Sequence, residues 1–202
     1  KFNYQLKFYE INKLKKVDNR EIVEIINKYL DQSIFLIPLN KISDSIYNLN
    51  WVEDVNLSTN FKNTIKVNIK EFQPLGLFFF NDRKYYFSEN GKIIDRYYEN
   101  LNNEDFIVFH GSESLKNATK IINILNKIQF NQFAKITDAF FINKRRWNIS
   151  LSNDIIVYLS EKNIEDSLNN YIKIIKNLKS SEIASINTID LRNNEKAIIR
   201  FK

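Results

Sequence analysis

The sequence predicts an α+β chain of two successive domains, and three patterns lead to this prediction. Residues 51–74 contain a hairpin in which apolar and polar side chains alternate, as in a sheet with one buried and one wet face. A strand and two amphipathic helices precede this hairpin. Short aromatic strands and two further helices follow it, which indicates a second, mostly antiparallel β domain. We expect the two domains to occupy residues 1–75 and 76–202, each with its own core.

The strands of the first domain are predicted from alternation. Residues 4–14 indicate the first strand, with Phe8 on its apolar face. In the hairpin, residues 51–57 place an apolar side chain or Glu at every second position, and residues 65–69 alternate isoleucine and valine with lysine and asparagine. Pro74 lacks a backbone N–H and is expected to end the second strand of the hairpin.

Two helices are predicted between the first strand and the hairpin. Asp18 lies three residues before Glu21, the spacing of a capping box, and apolar residues then recur at helical spacing to about Leu30. Asn40 is expected to cap the second helix. The predicted order of the first domain is therefore strand, helix, helix, strand, strand.

The second domain is predicted to contain nine short strands and two helices. The strands are expected at residues 77–80, 84–87, 92–95, 106–109, 139–142, 146–151, 155–159, 188–192 and 196–201. Turn signals lie at Asn81–Arg83, Glu89–Gly91, Ser152–Asp154 and Asn193–Asn194. Ser112 is expected to cap one helix, and residues 164–178 are expected to form the last one.

The formal charge of +6 is spread along the chain. Residues 1–76 carry 11 basic and 9 acidic groups, and residues 77–202 carry 19 and 15. A nucleic-acid-binding domain concentrates its positive charge in a patch or stripe, so this distribution favours an ordinary mixed surface without a nucleic-acid partner. A domain that stacks bases on exposed rings stays open as an alternative, although the patterns turn most aromatic residues inward.

The residues available for catalysis are few. His110 is the one histidine, and the chain has no cysteine, so a metal site of the usual kind would lack partners. Three glycines cannot supply a phosphate loop or a dinucleotide fingerprint. We therefore expect no enzymatic activity, no metal and no cofactor, and we interpret His110 as structural or solvated.

The terminal strand, residues 196–201, is the most informative feature for function. As the last strand it is expected at an edge of the sheet, with its outer N–H and C=O groups unpaired. Lys196, Arg200 and Lys202 either protect this edge or attract an acidic strand that adds to the sheet.

Several motifs resemble those of one protein family. The Trp51–Val52 pair, the alternating strand and the Glu-x-x-Pro motif that ends at Pro74 resemble the end of a POTRA domain of the FtsQ/DivIB type. The second domain resembles the FtsQ β domain through three further segments in the same order. These are FIVFHG (106–111), KRRWNISLSNDIIVYLS (144–160) and TIDLRNNEKAIIRF (188–201).

The resemblance implies the extracytoplasmic region of a bitopic bacterial cell-division protein. Such a protein would act as a scaffold, bind FtsB and FtsL at its terminal strand, and meet other divisome proteins through its POTRA domain. No apolar run approaches the ~20 residues of a membrane helix, so an inner-membrane anchor is expected before Lys1, with this region in the periplasm. POTRA-containing outer-membrane assembly and secretion factors stay open as an alternative.

The resemblance also implies the residues that contact the partner. Arg192 corresponds to the arginine of the Asp-Leu-Arg motif, which pairs with acidic FtsB residues, and an internal ion pair with Asp190 is the competing interpretation. The second basic contact corresponds to Arg145 or Arg146, with Arg145 preferred. The remaining contacts are expected along the terminal strand and its approach, at Asn193, Glu195, Lys196, Ala197, Ile198, Ile199, Arg200 and Phe201. Family members often carry an aromatic residue where this chain has Asn193.

Overall fold

The computed structural model describes residues 4–99, 105–193 and 195–202. Backbone contacts divide the chain into two units, Lys1–Gln73 and Pro74–Lys202. The first unit contains, in chain order, β1 (Phe8–Ile11), α1 (Asn19–Asn27), α2 (Leu39–Tyr47), β2 (Val52–Thr59) and β3 (Thr64–Glu71). Its three strands form one sheet in the order β1-β3-β2, in which β1 is parallel and β2 antiparallel to β3. The predicted order of strands and helices is confirmed.

The two helices of the first unit begin differently. Asp18 caps α1 as predicted, because its carboxylate accepts the backbone N–H of Arg20 at 2.8 Å. The prediction that Asn40 caps α2 is wrong: the helix begins at Leu39, two residues before the predicted start, with Pro38 at the N-cap and no side-chain cap. Pro38 has no N–H to satisfy at this position, and its ring restrains φ, here −80°. Both helices cover the sheet with buried isoleucines, Ile22 and Ile26 in α1 and Ile42 and Ile46 in α2.

The first strand is shorter than the alternation predicts. The segment before it pairs with the α1–α2 connection instead of with β3, since the N–H of Leu6 donates to the carbonyl of Gln32 at 2.9 Å. Leu6 is fully buried by this arrangement, whereas Phe8 is 60% exposed. The expected position of Phe8 on the apolar face is therefore wrong.

Glu71 ends β3 and holds the segment that precedes α1. Its carboxylate accepts the backbone N–H groups of Lys15, Lys16 and Val17 at 2.7 to 3.1 Å. Burial raises the pKa of Glu71, but the hydrogen bonds from these three backbone N–H groups lower it by more. Its pKa therefore lies below the usual 4.5. Pro74 does not end this strand. It begins the next one, a position that suits proline because the first residue of a strand can lack a donor.

Replacing Glu71 with glutamine is expected to lower the free energy of unfolding of the first unit by about 1–3 kcal/mol at pH 7, because a neutral amide oxygen accepts these bonds less strongly. A lowered folded-state pKa stabilises the fold above the unfolded-state pKa, and this contribution disappears as the pH falls through the folded-state value. The difference between wild type and variant should therefore shrink in acid. Urea unfolding from pH 7 down to pH ~3 measures it, with exposed Glu24→Gln as the matched control. Equal stability of the two variants at pH 7 would contradict this role of Glu71.

The second unit contains one nine-stranded sheet within the described ranges. Its elements are β4 (Pro74–Phe80), β5 (Arg83–Ser88), β6 (Ile93–Arg96), β7 (Val108–His110), α3 (Ser114–Lys127), a 3₁₀ turn (Phe130–Gln132), β8 (Ile136–Ile142), β9 (Arg146–Leu151), β10 (Ile156–Tyr158), α4 (Ile164–Asn177), α5 (Ser180–Ser185), β11 (Ile186–Asp190) and β12 (Ile198–Phe201). The strand order is β12-β11-β10-β9-β8-β7-β4-β5-β6. Five of the eight pairings are antiparallel, so the predicted mostly antiparallel domain is confirmed.

The core of the second unit lies where α3 and α4 meet inward-facing strand residues. Trp147, Ile149 and Leu151 of β9 are all buried, as their alternation predicts, with exposures of 2%, 0% and 2%. Leu125 of α3 and Leu168 of α4 belong to the same cluster. A single apolar core thus connects the helices to the central strands.

The turn between β4 and β5 is tighter than predicted. Arg83 already belongs to β5, and the turn consists of Asn81 and Asp82, with φ of 47° and 56°. A two-residue turn with both φ angles positive matches the twist of antiparallel strands, and Asn and Asp tolerate it well. Gly91 has the expected positive φ, at 78°.

The helices of the second unit differ from the prediction at two points. Ser112 does not cap α3, which begins at Ser114 after Glu113 without a side-chain cap. A turn forms first, in which the N–H of Ser114 donates to the carbonyl of Gly111 at 3.0 Å. The helix predicted to be the last, residues 164–178, is followed by the short α5. The predicted turn at Asn193–Asn194 lies partly outside the described residues, because Asn194 is not among them.

Candidate partner-binding edge

Strand β12 forms one edge of the large sheet. It pairs antiparallel with β11, with Ile199 opposite Ile189 and Arg200 opposite Thr188, and it lies at the end of the strand order. Backbone groups on the other side of β12 therefore lack a strand partner in the described structure. This is the geometry that permits a foreign strand to add to a sheet.

The directions of the backbone N–H groups of β12 follow from one hydrogen bond. The N–H of Lys202 donates to the carbonyl of Ser185 at 2.7 Å, on the β11 side. Successive N–H groups of a strand point in opposite directions. The N–H groups of Arg200 and Ile198 therefore point toward β11, whereas those of Ile199 and Phe201 point to the free side.

Two apolar side chains of β12 are exposed. Ile198 is 56% and Phe201 is 57% exposed, whereas Ile199 is partly buried against the core. An edge strand that needed only protection would carry charge at such positions. Uncovered apolar area beside free backbone donors favours a strand that receives a partner.

Arg192 lies next to this edge in a well-defined ion pair. Its guanidinium donates to both carboxylate oxygens of Asp190 at 2.5 to 3.0 Å and lies 5.6 Å from the ring centre of Tyr158. Hydrogen bonds from Arg192 hold the pKa of Asp190 below its usual value, and the charge of Arg146 adds to this effect. The internal ion pair with Asp190, the competing interpretation from the sequence, is thus formed, and the Arg192 side chain as a whole stays about half exposed.

Arg146 and Arg200 share the same polar hollow. It has a volume of about 370 Å³ and lies on the open sheet face, lined by Arg146, Asn148, Tyr158, Thr188, Asp190, Arg192 and Arg200. Within the described residues neither Arg146 nor Arg200 forms an ion pair, and the buried Nε of Arg146 has no hydrogen-bond partner. Three arginines and one aspartate give this hollow a net positive charge.

Arg145 lies apart from that hollow. It precedes β9 in the turn after β8, and its Nε lies 3.7 Å from a carboxylate oxygen of Glu161. Glu161 in turn lines a shallow depression that also contains Arg192 and Glu195. Arg146 therefore lines the same hollow as Arg192, whereas Arg145 is connected to the depression beside Arg192 through Glu161.

The segment between β11 and β12 is exposed. Asn193, Glu195, Lys196 and Ala197 are all exposed, and the side chain of Asn193 accepts the N–H of Glu195 at 2.9 Å. Sequence reasoning missed Tyr158, which stacks with Arg192. Alternation in β10 places the side chains of Tyr158 and Val157 on opposite faces of the sheet. Only the pairing of β10 with β11 brings Tyr158 beside Asp190.

His110 has a carboxylate partner that the sequence does not indicate. Its Nε2 lies 2.8 Å from Oδ1 of Asp138 on the neighbouring strand, and its ring stacks on Phe140 with centroids 4.3 Å apart. Among the described residues, no three His, Cys, Asp or Glu side chains are grouped to hold a metal ion. The same part of the chain contains no helix long and apolar enough to cross a membrane.

A small α+β unit followed by a unit built on one large mixed sheet is the two-domain organisation that the motifs indicated. The family description "Cell division protein FtsQ/DivIB, C-terminal" matches residues 80–192, and "POTRA domain, FtsQ-type" matches residues 9–72. The chain belongs to the FtsQ/DivIB cell-division family.

Individual relatives agree with this assignment. The chain is 26% identical over 183 residues to cell division protein FtsQ of Rickettsia bellii, covering 91% of this chain and 67% of that protein. It is 24% identical over 200 residues to FtsQ of Rickettsia prowazekii, covering 99% and 73%. FtsQ of Aliivibrio fischeri is 25% identical over 191 residues, covering 94% and 73%.

Proposed function

We propose that this chain is the periplasmic part of a non-catalytic divisome scaffold, and that β12 receives an extended strand of an FtsB-like protein that is associated with FtsL. An inner-membrane anchor before Lys1 would attach it as a single-pass protein, and its POTRA domain would meet other divisome proteins. The observation that carries this proposal is the free side of β12, where two N–H groups lack a strand partner in the described structure, on a strand that also exposes Ile198 and Phe201, one on each face.

Charge supports the choice of an acidic partner. Three basic residues lie at or near the β12 edge: Arg200 belongs to the strand, Lys196 precedes it, and Arg192 follows the neighbouring strand β11. An incoming strand with acidic residues would gain attraction during approach and pairing, whereas a basic strand would be repelled. Arg145 and Arg192 are the proposed ionic contacts, with Arg146 as the alternative to Arg145 on the hollow side. The other proposed contacts are Asn193, Glu195, Lys196, Ala197, Ile198, Ile199, Arg200 and Phe201.

The roles of the two domains are proposed to be separate. Residues 1–75 would form an independently folding POTRA domain and residues 76–202 the domain that binds the partner. Each of the two units has its own sheet and its own buried cluster, which supports independent folding. Variants in either unit test this proposal when their unfolding transitions are compared.

Replacing Phe201 with alanine is expected to weaken partner binding by about 1–3 kcal/mol, because the exposed ring would be covered by the incoming strand. The measurement is isothermal titration with a synthetic peptide of the C-terminal segment of FtsB from the same organism. Phe80→Ala is the matched control, since Phe80 is 55% exposed but belongs to β4, away from β12 in the strand order. Circular dichroism verifies folding. Equal affinities of the two variants would place the partner elsewhere.

A further inference from the structure

Four apolar side chains are exposed together at one end of the first unit. Tyr4, Phe35, Leu36 and Phe61 have exposures of 42%, 61%, 80% and 68%. The ring centres of Tyr4 and Phe35 are 5.4 Å apart, and those of Phe35 and Phe61 are 6.5 Å apart. We call these four residues the aromatic end. They come from three separate segments, so the fold and not a sequence run brings them together.

The backbone of Phe61 is held in an unfavourable conformation. Its φ is 54°, in the left-handed region that a residue with a bulky side chain rarely adopts. The side chain of Asn60 maintains this turn, because its Oδ1 accepts the N–H groups of Lys62, Asn63 and Thr64 at 2.9 to 3.0 Å. Glycine or asparagine would suit this exposed turn better. Strain of this kind, at an exposed ring, is typical of a functional position.

Strand directions show which end of the unit this is. Strands β1 and β3 are parallel, with Phe8 opposite Thr64, so the segment with Tyr4 and the turn with Phe61 lie at the same end. The opposite end contains Glu71, which closes β3. Tyr47 ends α2 a few residues before Val52, which pairs with Glu71, so Tyr47 lies toward that opposite end.

We propose that the aromatic end rests on the headgroup surface of the membrane. Tyrosine is enriched at this interface, and phenylalanine and leucine side chains enter the boundary between headgroups and acyl chains. Lys62 follows Phe61 directly and provides positive charge for lipid phosphates, whereas Lys7, near Tyr4 in sequence, is paired with Asp31. The inference rests on the proposed function, because an anchor before Lys1 would bring this end toward the bilayer.

Depth-dependent fluorescence quenching tests the contact. The chain is tethered through an N-terminal hexahistidine tag to vesicles of phosphatidylglycerol, phosphatidylethanolamine, a nickel-chelating lipid and a brominated phosphatidylcholine. Phe61→Trp supplies the probe, and Tyr47→Trp is the matched control, since Tyr47 is 46% exposed at the other end of the unit. The native Trp51 and Trp147 are buried, with exposures of 7% and 2%, and give the background. We expect quenching of Phe61→Trp to exceed that of Tyr47→Trp about twofold or more. Equal quenching overturns the proposal.

A second variant separates lipid contact from a structural role. Phe61→Gly removes the ring and relieves the positive φ, so it should raise the melting temperature of the chain and abolish its co-sedimentation with anionic vesicles. A lower melting temperature would mean that the ring serves folding and would overturn the proposal. So would loss of a dimer in analytical ultracentrifugation without any change in vesicle binding, because the occupant would then be a second copy.

The tether makes this test independent of the proposed partner and anchor. It supplies membrane attachment artificially, so failure of the chain to anchor in cells leaves the quenching result valid. Affinity of Phe61→Gly for the FtsB peptide is expected to be unchanged, since β12 belongs to the other unit. If Phe61→Gly loses lipid contact and keeps its affinity for the peptide, the inference is supported. If it keeps lipid contact and loses affinity for the peptide, the inference is contradicted.

Discussion

Replacing Ile199 with proline is expected to reduce partner-strand affinity at least ~30-fold while the chain stays folded. Proline removes the N–H of residue 199, which points to the free side of β12, and leaves the N–H groups of Ile198 and Arg200 available to β11. Edge strands tolerate proline when the missing donor faces outward. The missing hydrogen bond would therefore be one to the partner strand and not one between β12 and β11.

The control for this variant is Ile199→Ala. Both changes remove the side chain that packs against the core, so both should lower stability similarly, but alanine retains the backbone donor. Peptide titration separates the two contributions, and thermal unfolding verifies that each variant is folded. If alanine weakens binding as much as proline does, the side chain and not strand addition accounts for recognition at this position.

Replacing Gly111 with alanine is expected to destabilise the second unit by about 2–4 kcal/mol. Gly111 has φ of 102°, a conformation that costs energy for any residue with a Cβ. An added Cβ would also lie 2.7 Å from the carbonyl oxygen of Phe141, a backbone atom of β8 that cannot move without disturbing the sheet. The two costs act together because the glycine lies where the chain leaves β7 against its neighbouring strand.

Gly91→Ala provides the comparison for Gly111. Its φ is 78°, but the nearest atom to an added Cβ is the carbonyl oxygen of Leu115 at 3.1 Å, so the steric part of the cost is smaller. Urea unfolding of both variants should rank Gly111 as the more sensitive position.

Glu71→Gln acts in the other unit. If the two units unfold independently, it and Gly111→Ala will shift different transitions, and one shared transition would contradict the proposed domain division.

Local patterns predicted the first unit well because its elements are organised over short distances. Ile65, Val67 and Ile69 alternate inward in β3 as expected, and Asp18 caps α1. The cap predictions at Asn40 and Ser112 are wrong in opposite directions: α2 begins earlier, directly after Pro38, whereas a turn that starts at Gly111 delays the beginning of α3 to Ser114. Helix α5 was missed because none of its residues is buried, so it has no apolar periodicity to detect.

The candidate site could be predicted only in part. The position of β12 at the edge follows from its place at the end of the chain, and Arg192 was singled out by a motif. The hollow that joins Arg146 and Arg200 depends on three strand pairings that alternation alone does not specify. The aromatic end was missed for a related reason, since Phe35 and Phe61 are far apart in sequence and neither interrupts a helix or strand pattern.

The length of β3 has a consequence for distances above the membrane. From Thr64 to Glu71 the strand advances by seven residues, which corresponds to about 23 Å at 3.3 Å per residue. If Phe61 touches the lipid surface and β3 stands upright, the chain leaves the first unit at least that far from the bilayer. A neighbouring helix that rises from the same membrane needs about 15 residues beyond the headgroups to reach this height. The first unit would then act as a spacer that sets how long a helical partner must be.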